Sequence, residues 1–231
     1  EKKIKNFIKK HKIPSVLTWN SADLFPTEYN FNLGIIGMSG QRGANKAVFE
    51  SDLILCLGNH LSIPHTTTLF KSYATKAKKI IVNIDKNQLK NLNVKFDLKI
   101  NQDVGTFLDM FERKNYRFQN QWKDYNYFKD QNWYTPKKTK LIDSNIVVRN
   151  FTKNIKQKKC IIVDGGGTAL YAGFQSSIIS KGDRLICSSS ISAMGTGLAE
   201  SLGASKSKNF KKYICIIGDG SFLMNIQDLQ S

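Results

Sequence analysis

Two short stretches carry residue types suited to phosphate and metal chemistry: Asp164-Gly165-Gly166-Gly167-Thr168 and Gly218-Asp219-Gly220-Ser221. A glycine turn that runs into a helix offers free backbone N–H groups and the positive end of the helix dipole, which suits a phosphate. Asp219 stands between two glycines directly after an apolar run, so its carboxylate can reach a hard cation. Mg²⁺ usually takes one or two carboxylates and completes its shell with substrate phosphates. Each turn taken singly has a plainer reading, a strand-to-helix corner that needs glycine for its backbone angles.

The elements around these turns alternate. Ile4, Phe7 and Ile8 have helical spacing, and Pro14 ends that helix. Ser15 to Trp19 reads as a short strand, followed by a loop through Phe25-Pro26. Leu53 to Leu57, Lys79 to Ile84 and Phe96 to Ile100 read as buried strands, with a helix predicted over Thr66 to Ala77. Val104, Phe107, Leu108 and Phe111 form a helical stripe. From residue 112 to 141 the chain is polar and aromatic without a period (Tyr116, Phe118, Trp122, Tyr125, Tyr127, Phe128, Trp133, Tyr134), then reaches Pro136-Lys137-Lys138 on its way to a second unit. This segment reads as a connection that crosses a protein surface, its aromatics packing as it goes. In the second unit, Ile146 to Asn154, Ala169 to Ile179 and Thr196 to Ala204 are predicted helices. Cys160 to Val163, Arg184 to Cys187 and Tyr213 to Ile217 are predicted strands.

Strand and helix in alternation predict an α/β fold with parallel sheets. The boundaries divide the chain into 1–111, a connection 112–141, and 142–231. Three strands leave the second sheet's edges and faces poorly covered, so this unit reads as unfinished. Both glycine turns then fall at the carboxyl edge of that sheet, where α/β proteins bind ligands.

Composition limits the alternatives. The chain has 231 residues, 41% of them hydrophobic and 23% charged, which excludes wholesale disorder. No apolar run approaches the roughly 20 residues of a membrane span, so neither a membrane helix nor a secretory leader is expected. The net charge is +17, but 30 of the 35 basic residues are Lys and they are scattered along the chain. A nucleic-acid reading surface favours clustered Arg with its fixed donor fork, so no nucleic-acid partner is expected. Cys56, Cys160, Cys187 and Cys215 show no C-x-x-C spacing. Reduced thiols in a cytoplasmic protein are the expectation. His11, His60 and His65 are too few for a metal cluster and read as surface or supporting residues.

Ile216-Ile217-Gly218-Asp219-Gly220-Ser221-Phe222-Leu223-Met224-Asn225-Ile226-Gln227-Asp228-Leu229 resembles the opening of the thiamine diphosphate motif, in its acetolactate synthase-like form. Ser192-Ala193-Met194-Gly195-Thr196-Gly197-Leu198 through Gly203-Ala204 is similar to that branch's G-x-M-G-x-G-L-P-A-A-x-G-A segment. Ile13-Pro14-Ser15-Val16, Leu33-Gly34-Ile35-Ile36-Gly37-Met38-Ser39-Gly40, Ala44-Asn45, Glu50-Ser51-Asp52-Leu53 and Val82-Asn83-Ile84-Asp85 resemble the family's central domain. The resemblance implies two three-layer units: a central Rossmann-like domain, then an incomplete thiamine diphosphate-binding domain. It implies thiamine diphosphate and Mg²⁺ as cofactors and decarboxylation of a 2-oxo acid with carboligation. Asp219 would be a Mg²⁺ ligand, and Gly218, Gly220 and Ser221 would hold the diphosphate. Gly166, Gly167 and Thr168 match a second diphosphate-side loop. Met194 would wedge the cofactor into its bent form, and the Ser192 carbonyl would accept a hydrogen bond from its amino group.

The resemblance further implies an activating Glu in a domain preceding Glu1 and a metal-site Asn beyond Ser231. The chain is therefore expected to be part of a longer polypeptide, silent alone, and a homodimer or homotetramer when whole. FAD is a further cofactor of the acetolactate type, although its Phe-Asp-Asp-Arg stretch is replaced here by Asn59-His60-Leu61-Ser62-Ile63-Pro64-His65. Gly167-Thr168-Ala169, Phe174-Gln175 and Lys181-Gly182-Asp183-Arg184-Leu185 resemble relatives in sugar and polysaccharide biosynthesis, which makes a keto-sugar carboligase the second reading. A noncatalytic phosphate- or nucleotide-binding module is the third.

Overall fold

A computed structural model describes every residue except 67, 69, 117, 119–121, 123, 134–139, 189–190 and 231. Helix α1 (Lys2–His11) buries Phe7 and Ile8 and stops at Lys12, whose left-handed backbone returns its N–H to the Ile8 carbonyl. Strands β1 (Ser15–Leu17) and β2 (Asn32–Ile35) pair in parallel, followed by α2 (Arg42–Glu50). Then come β3 (Leu53–Leu57), a single turn α3 (Ile63–Thr66), β4 (Lys78–Asn83), α4 (Lys86–Lys90), β5 (Leu98–Asn101) and α5 (Val104–Arg113). The order β3-β4-β5 is parallel throughout. Asp85 and Asp103 cap α4 and α5, each carboxylate accepting backbone N–H groups of the first turn.

After α6 (Asn126–Lys129), the second unit runs α7 (Ser144–Asn154), β6 (Lys159–Val163), α8 (Gly167–Ser176), β7 (Arg184–Ile186), α9 (Thr196–Lys206), β8 (Lys212–Ile216) and α10 (Asp219–Met224). Its sheet has the order β7-β6-β8, again parallel. All five residues of β6 are buried, as a central strand between two helical layers requires. The α/β reading therefore holds, with parallel pairing in all three sheets among the described residues.

Two expectations need correction. Thr66 to Ala77 is not one helix: α3 ends at Thr66 and a separate 3-10 turn covers Phe70–Ser72. Tyr73, Ala74 and Ala77 are buried in the core beside Cys56 and Ile81, and core packing rather than helical period sets their order. The strand from Ser15 ends at Leu17, because Trp19–Ser21 turns as a 3-10 helix with the side chains of Thr18 and Ser21 capping each other's backbone. His11 and His65, read as surface or supporting residues, are half-buried and take the supporting role. His11 packs against Phe7, Phe111 and Phe118 and bonds to Glu112 at 2.8 Å, and the His65 ring lies edge-on to Trp19.

Sequence reading also missed β2, α2 and α6. Strand β2 opens with Asn and contains Gly34, and α2 opens Arg42-Gly43. Gly43 is demanded by tertiary contact, since a Cβ there would lie 1.7 Å from the Phe128 carbonyl oxygen of α6. The aromatic connection packs along the first unit: Phe118 stacks on Phe111, Trp122 meets Phe128, and Tyr125 meets Phe31. Tyr134 and Pro136 to Lys138 lie outside the described residues. The two units share one core, in which Phe174 of α8 stacks on Trp19 at 5.1 Å and Leu185 of β7 donates its N–H to Asp23.

Candidate cofactor site

Strands β6, β7 and β8 end at the same edge, and the segment after each leads into a helix. Asp164 follows β6, is fully buried, and extends the ladder by donating its N–H to the Ile216 carbonyl. Its carboxylate joins two segments: Oδ1 accepts from Gly197 N at 2.9 Å, and Oδ2 accepts from Gly166 N at 3.3 Å. Bonds from N–H groups to an ionised acceptor are about twice as strong as neutral ones. Gly197 has to be glycine, since a Cβ there would lie 2.9 Å from that of Asp164.

The segment after β7 is held on both sides. A Cβ on Gly165 would strike the Ser192 carbonyl carbon at 2.3 Å, so the Ser192 carbonyl lies against the first glycine turn. Ser192 adopts a left-handed φ of 54°, and Gly195, at φ 86°, caps α9. From the other side Asn225 donates its side-chain amide to the Gly195 carbonyl at 2.8 Å. Met194 therefore projects, half exposed, between the first and third turns. Its Cγ is 2.6 Å from the Cβ position of Gly166, and its Cε is 3.8 Å from that of Gly220.

The third turn begins at Gly218, which precedes α10. Asp219 is exposed, and its Oδ1 accepts from Gly220 N at 2.8 Å. Ser221 is buried at 3% exposure, its Oγ turned toward Gly166. Nothing lies within 4 Å of a Cβ placed on Gly167 or Gly218, so the backbone there is open to a ligand.

Electrostatics separate this edge into an open carboxylate and a closed acidic interior. Burial, then the charge of Asp164, raises the Glu200 carboxyl pKa. Glu200 Oε2 is buried with no hydrogen-bond partner among the described residues. Burial, then Glu200 and Asp164, pushes the Cys187 thiol up to about 12, and Cys215 is raised chiefly by burial. These thiols stay protonated and are not nucleophiles.

Among the described residues no group of three or more His, Cys, Asp or Glu could hold a metal ion. Asp219 offers a cation one exposed carboxylate, to which the oxygens of a diphosphate could add, as they do at Mg²⁺ sites. The open glycine backbone, the exposed carboxylate and the Met194 thioether between the turns fit thiamine diphosphate with a divalent cation.

The structure thus brings Gly166, Ser192, Met194, Gly218, Asp219, Gly220 and Ser221 to one sheet edge. Gly167 and Thr168 head α8 at its exposed rim. Sequence reading missed Asp164 as the residue joining two segments, Asn225 as the clamp on Gly195, and Glu200 with its enclosed Oε2. The one available signal was Asp164 directly after an unbroken apolar strand.

Three strand-to-helix segments at the carboxyl edge of a parallel sheet are the usual setting for a phosphate-bearing ligand in α/β proteins. The family description "Thiamine pyrophosphate enzyme, central domain" matches residues 1–111. "Thiamine pyrophosphate enzyme, C-terminal TPP binding domain" matches residues 164–231. The chain belongs to the thiamine pyrophosphate enzyme family. It is 24% identical over 226 residues to the acetolactate synthase isozyme 2 large subunit of Escherichia coli (strain K12), covering 98% of this chain and 41% of that protein. The acetolactate synthase large subunit of Buchnera aphidicola subsp. Schlechtendalia chinensis is 30% identical over 247 residues, covering 99% and 41%. That of Cyanidium caldarium is 32% identical over 229 residues, covering 94% and 38%. The chain thus spans about two fifths of the length of these relatives. No helix among the described residues is long and apolar enough to cross a membrane.

Proposed function

We propose that the intact protein is a thiamine diphosphate- and Mg²⁺-dependent enzyme that decarboxylates a 2-oxo acid and joins the resulting fragment to a second carbonyl, as the names of its relatives suggest. The observation that carries this reading is the exposed Asp219 carboxylate beside the open backbone of Gly218, with Met194 reaching between Gly166 and Gly220. When bound, thiamine diphosphate supplies a thiazolium that stabilises the carbanion left by loss of carbon dioxide. Asp219 would hold the cation, and the open backbone of Gly167 and Gly218 with Ser221 would receive the diphosphate, Gly166 and Gly220 shaping the turns while their N–H groups are held by Asp164 and Asp219. Asp164 would keep the first and second segments in register, so that Met194 supports the cofactor from between the turns. The division into a central unit (1–111), a connection (112–141) and a cofactor-binding unit (142–231) belongs to the same reading.

Leu223, Met224, Ile226 and Leu229 are exposed apolar residues beyond the third turn. Further chain of the intact protein or a second copy would cover them.

Calorimetric titration of thiamine diphosphate into the intact protein, with and without Mg²⁺, tests the assignment. Mg²⁺ should strengthen binding, and Asp219→Ala should abolish that gain, weakening affinity at least about tenfold, or about 1.4 kcal/mol. Unchanged affinity in Asp219→Ala would overturn it.

A further inference from the structure

We infer that the central unit takes no flavin, because the loop after β3 lies over the glycine turn that an adenine dinucleotide would need. Such a ligand requires two things of a parallel α/β unit: an open crevice beyond the carboxyl ends of its strands, and a glycine turn at a helix start with N–H groups free for the pyrophosphate. The first unit has the glycine turn, Gly37-Met38-Ser39-Gly40, between β2 and the start of α2.

Three of the turn's four N–H donors, and that of Gln41 after it, are already used. Gly37 N bonds to Asn45 Oδ1 at 2.9 Å, and the Asn45 amide returns to the Gly37 carbonyl at 3.0 Å. Met38 N bonds to the Pro64 carbonyl at 2.9 Å, Gly40 N to the Gly37 carbonyl at 3.0 Å, and Gln41 N to the Ile35 carbonyl at 2.7 Å. Ser39 between them is buried at 1% exposure. A pyrophosphate would have to displace protein acceptors one by one.

Asn59 to Thr66, the segment that replaces the acetolactate-type acidic stretch, leads from the carboxyl end of β3 over that turn. A Cβ on Gly37 would lie 2.1 Å from the Pro64 carbonyl oxygen and 2.9 Å from the His65 Cα, so this backbone rests directly on the glycine turn. The segment is anchored along its length. Asn59 donates to Thr18 Oγ1 at 3.0 Å and accepts from Leu61 N. Leu61 is buried in the core with Ile36 and Cys56, Thr66 bonds back to the Ser62 carbonyl, and the His65 ring sits edge-on to Trp19, itself stacked on Phe174. These anchors hold the segment on the turn, with its Leu61 and Thr66 buried. The proposed decarboxylation with carboligation is redox-neutral, so a flavin-free protein leaves no electrons unaccounted for.

The test is made on the intact protein purified without added cofactor. Flavin released on denaturation is measured, FAD is titrated against its own fluorescence, and thiamine diphosphate with Mg²⁺ is titrated in parallel. The expected result is no released flavin and no saturable FAD binding, whether or not thiamine diphosphate binds. Failure of thiamine diphosphate alone would count against the proposed function and leave this inference standing. Flavin recovered at one per chain, or saturable FAD binding, would overturn it. Amide hydrogen exchange gives a second reading: the Gly37 and Met38 amides should be protected without ligand. A freely exchanging Met38 amide would show that Pro64 is not seated on the turn, and would also overturn it.

Discussion

Asp164 and Asp219 are both aspartates at the ends of neighbouring strands, and burial separates their work. Asp164 accepts two backbone N–H groups and touches no solvent, whereas Asp219 is exposed and available to a cation. Asp164→Asn should therefore weaken the whole edge: its amide would present N–H to an N–H, leaving a buried donor unpaired at about 1–3 kcal/mol. Urea unfolding should report that loss, while Asp219→Ala should leave stability nearly unchanged. Met194 makes a subtler case. Met194→Leu should retain activity, and Met194→Ala should lose turnover more than cofactor affinity, since support of a reactive geometry serves the reaction rather than the anchoring. Equal turnover in Met194→Ala would reduce Met194 to packing. His65 gives a pH signature. Burial, with a smaller contribution from His60, lowers its pKa from 6.5 to about 4. Between these values the unfolded chain binds more protons, so stability is full above the unfolded pKa and falls as pH drops toward the folded one, by up to about 3 kcal/mol. Unfolding midpoints across that range should flatten in His65→Asn; an unchanged slope would assign the acid sensitivity elsewhere. The two glycine turns and Asp219 were legible in the sequence because their chemistry is local. The joining role of Asp164 was not, because Gly197 lies in a different segment.

Strands were legible where they are written as unbroken apolar runs, as in Cys160-Ile161-Ile162-Val163, buried on both faces, and Leu53-Ile54-Leu55-Cys56-Leu57, an edge strand that is only partly buried. They were not where a neighbour sets the conformation. Gly43 in α2 exists to admit the Phe128 carbonyl, and Ala74 and Ala77 pack into the core from turns that mimic helical spacing. Strand β6 also hides a polar start. Lys159 and Asp183 form an ion pair at 2.6 Å with both side chains 1% exposed, and Asp183 also accepts the N–H groups of Lys159 and Ser180. This pair ties the start of β6 to the turn before β7. Lys159→Met should destabilise the protein by about 3–5 kcal/mol, because it strands a buried carboxylate. A denaturant midpoint close to that of the wild type would show that water or a neighbouring group already compensates the charge.

Across the whole molecule, two parallel units are joined through Trp19, Phe174 and the Asp23 contacts with Leu185 and Arg184, and their glycine turns have had opposite fates. The Gly37 to Gly40 turn is closed by its own chain, while the second unit's turns are open at Gly167 and Gly218, beside an exposed carboxylate. That contrast, a structural first unit and a cofactor-binding second one, is the central claim. It is tested most directly by a crystal structure of the intact protein with thiamine diphosphate and Mn²⁺ in place of Mg²⁺. The prediction is an anomalous peak bonded to the Asp219 carboxylate, with the diphosphate lying against Gly167, Gly218 and Ser221. A cation away from Asp219, or a diphosphate seated at the Gly37 turn, would contradict it.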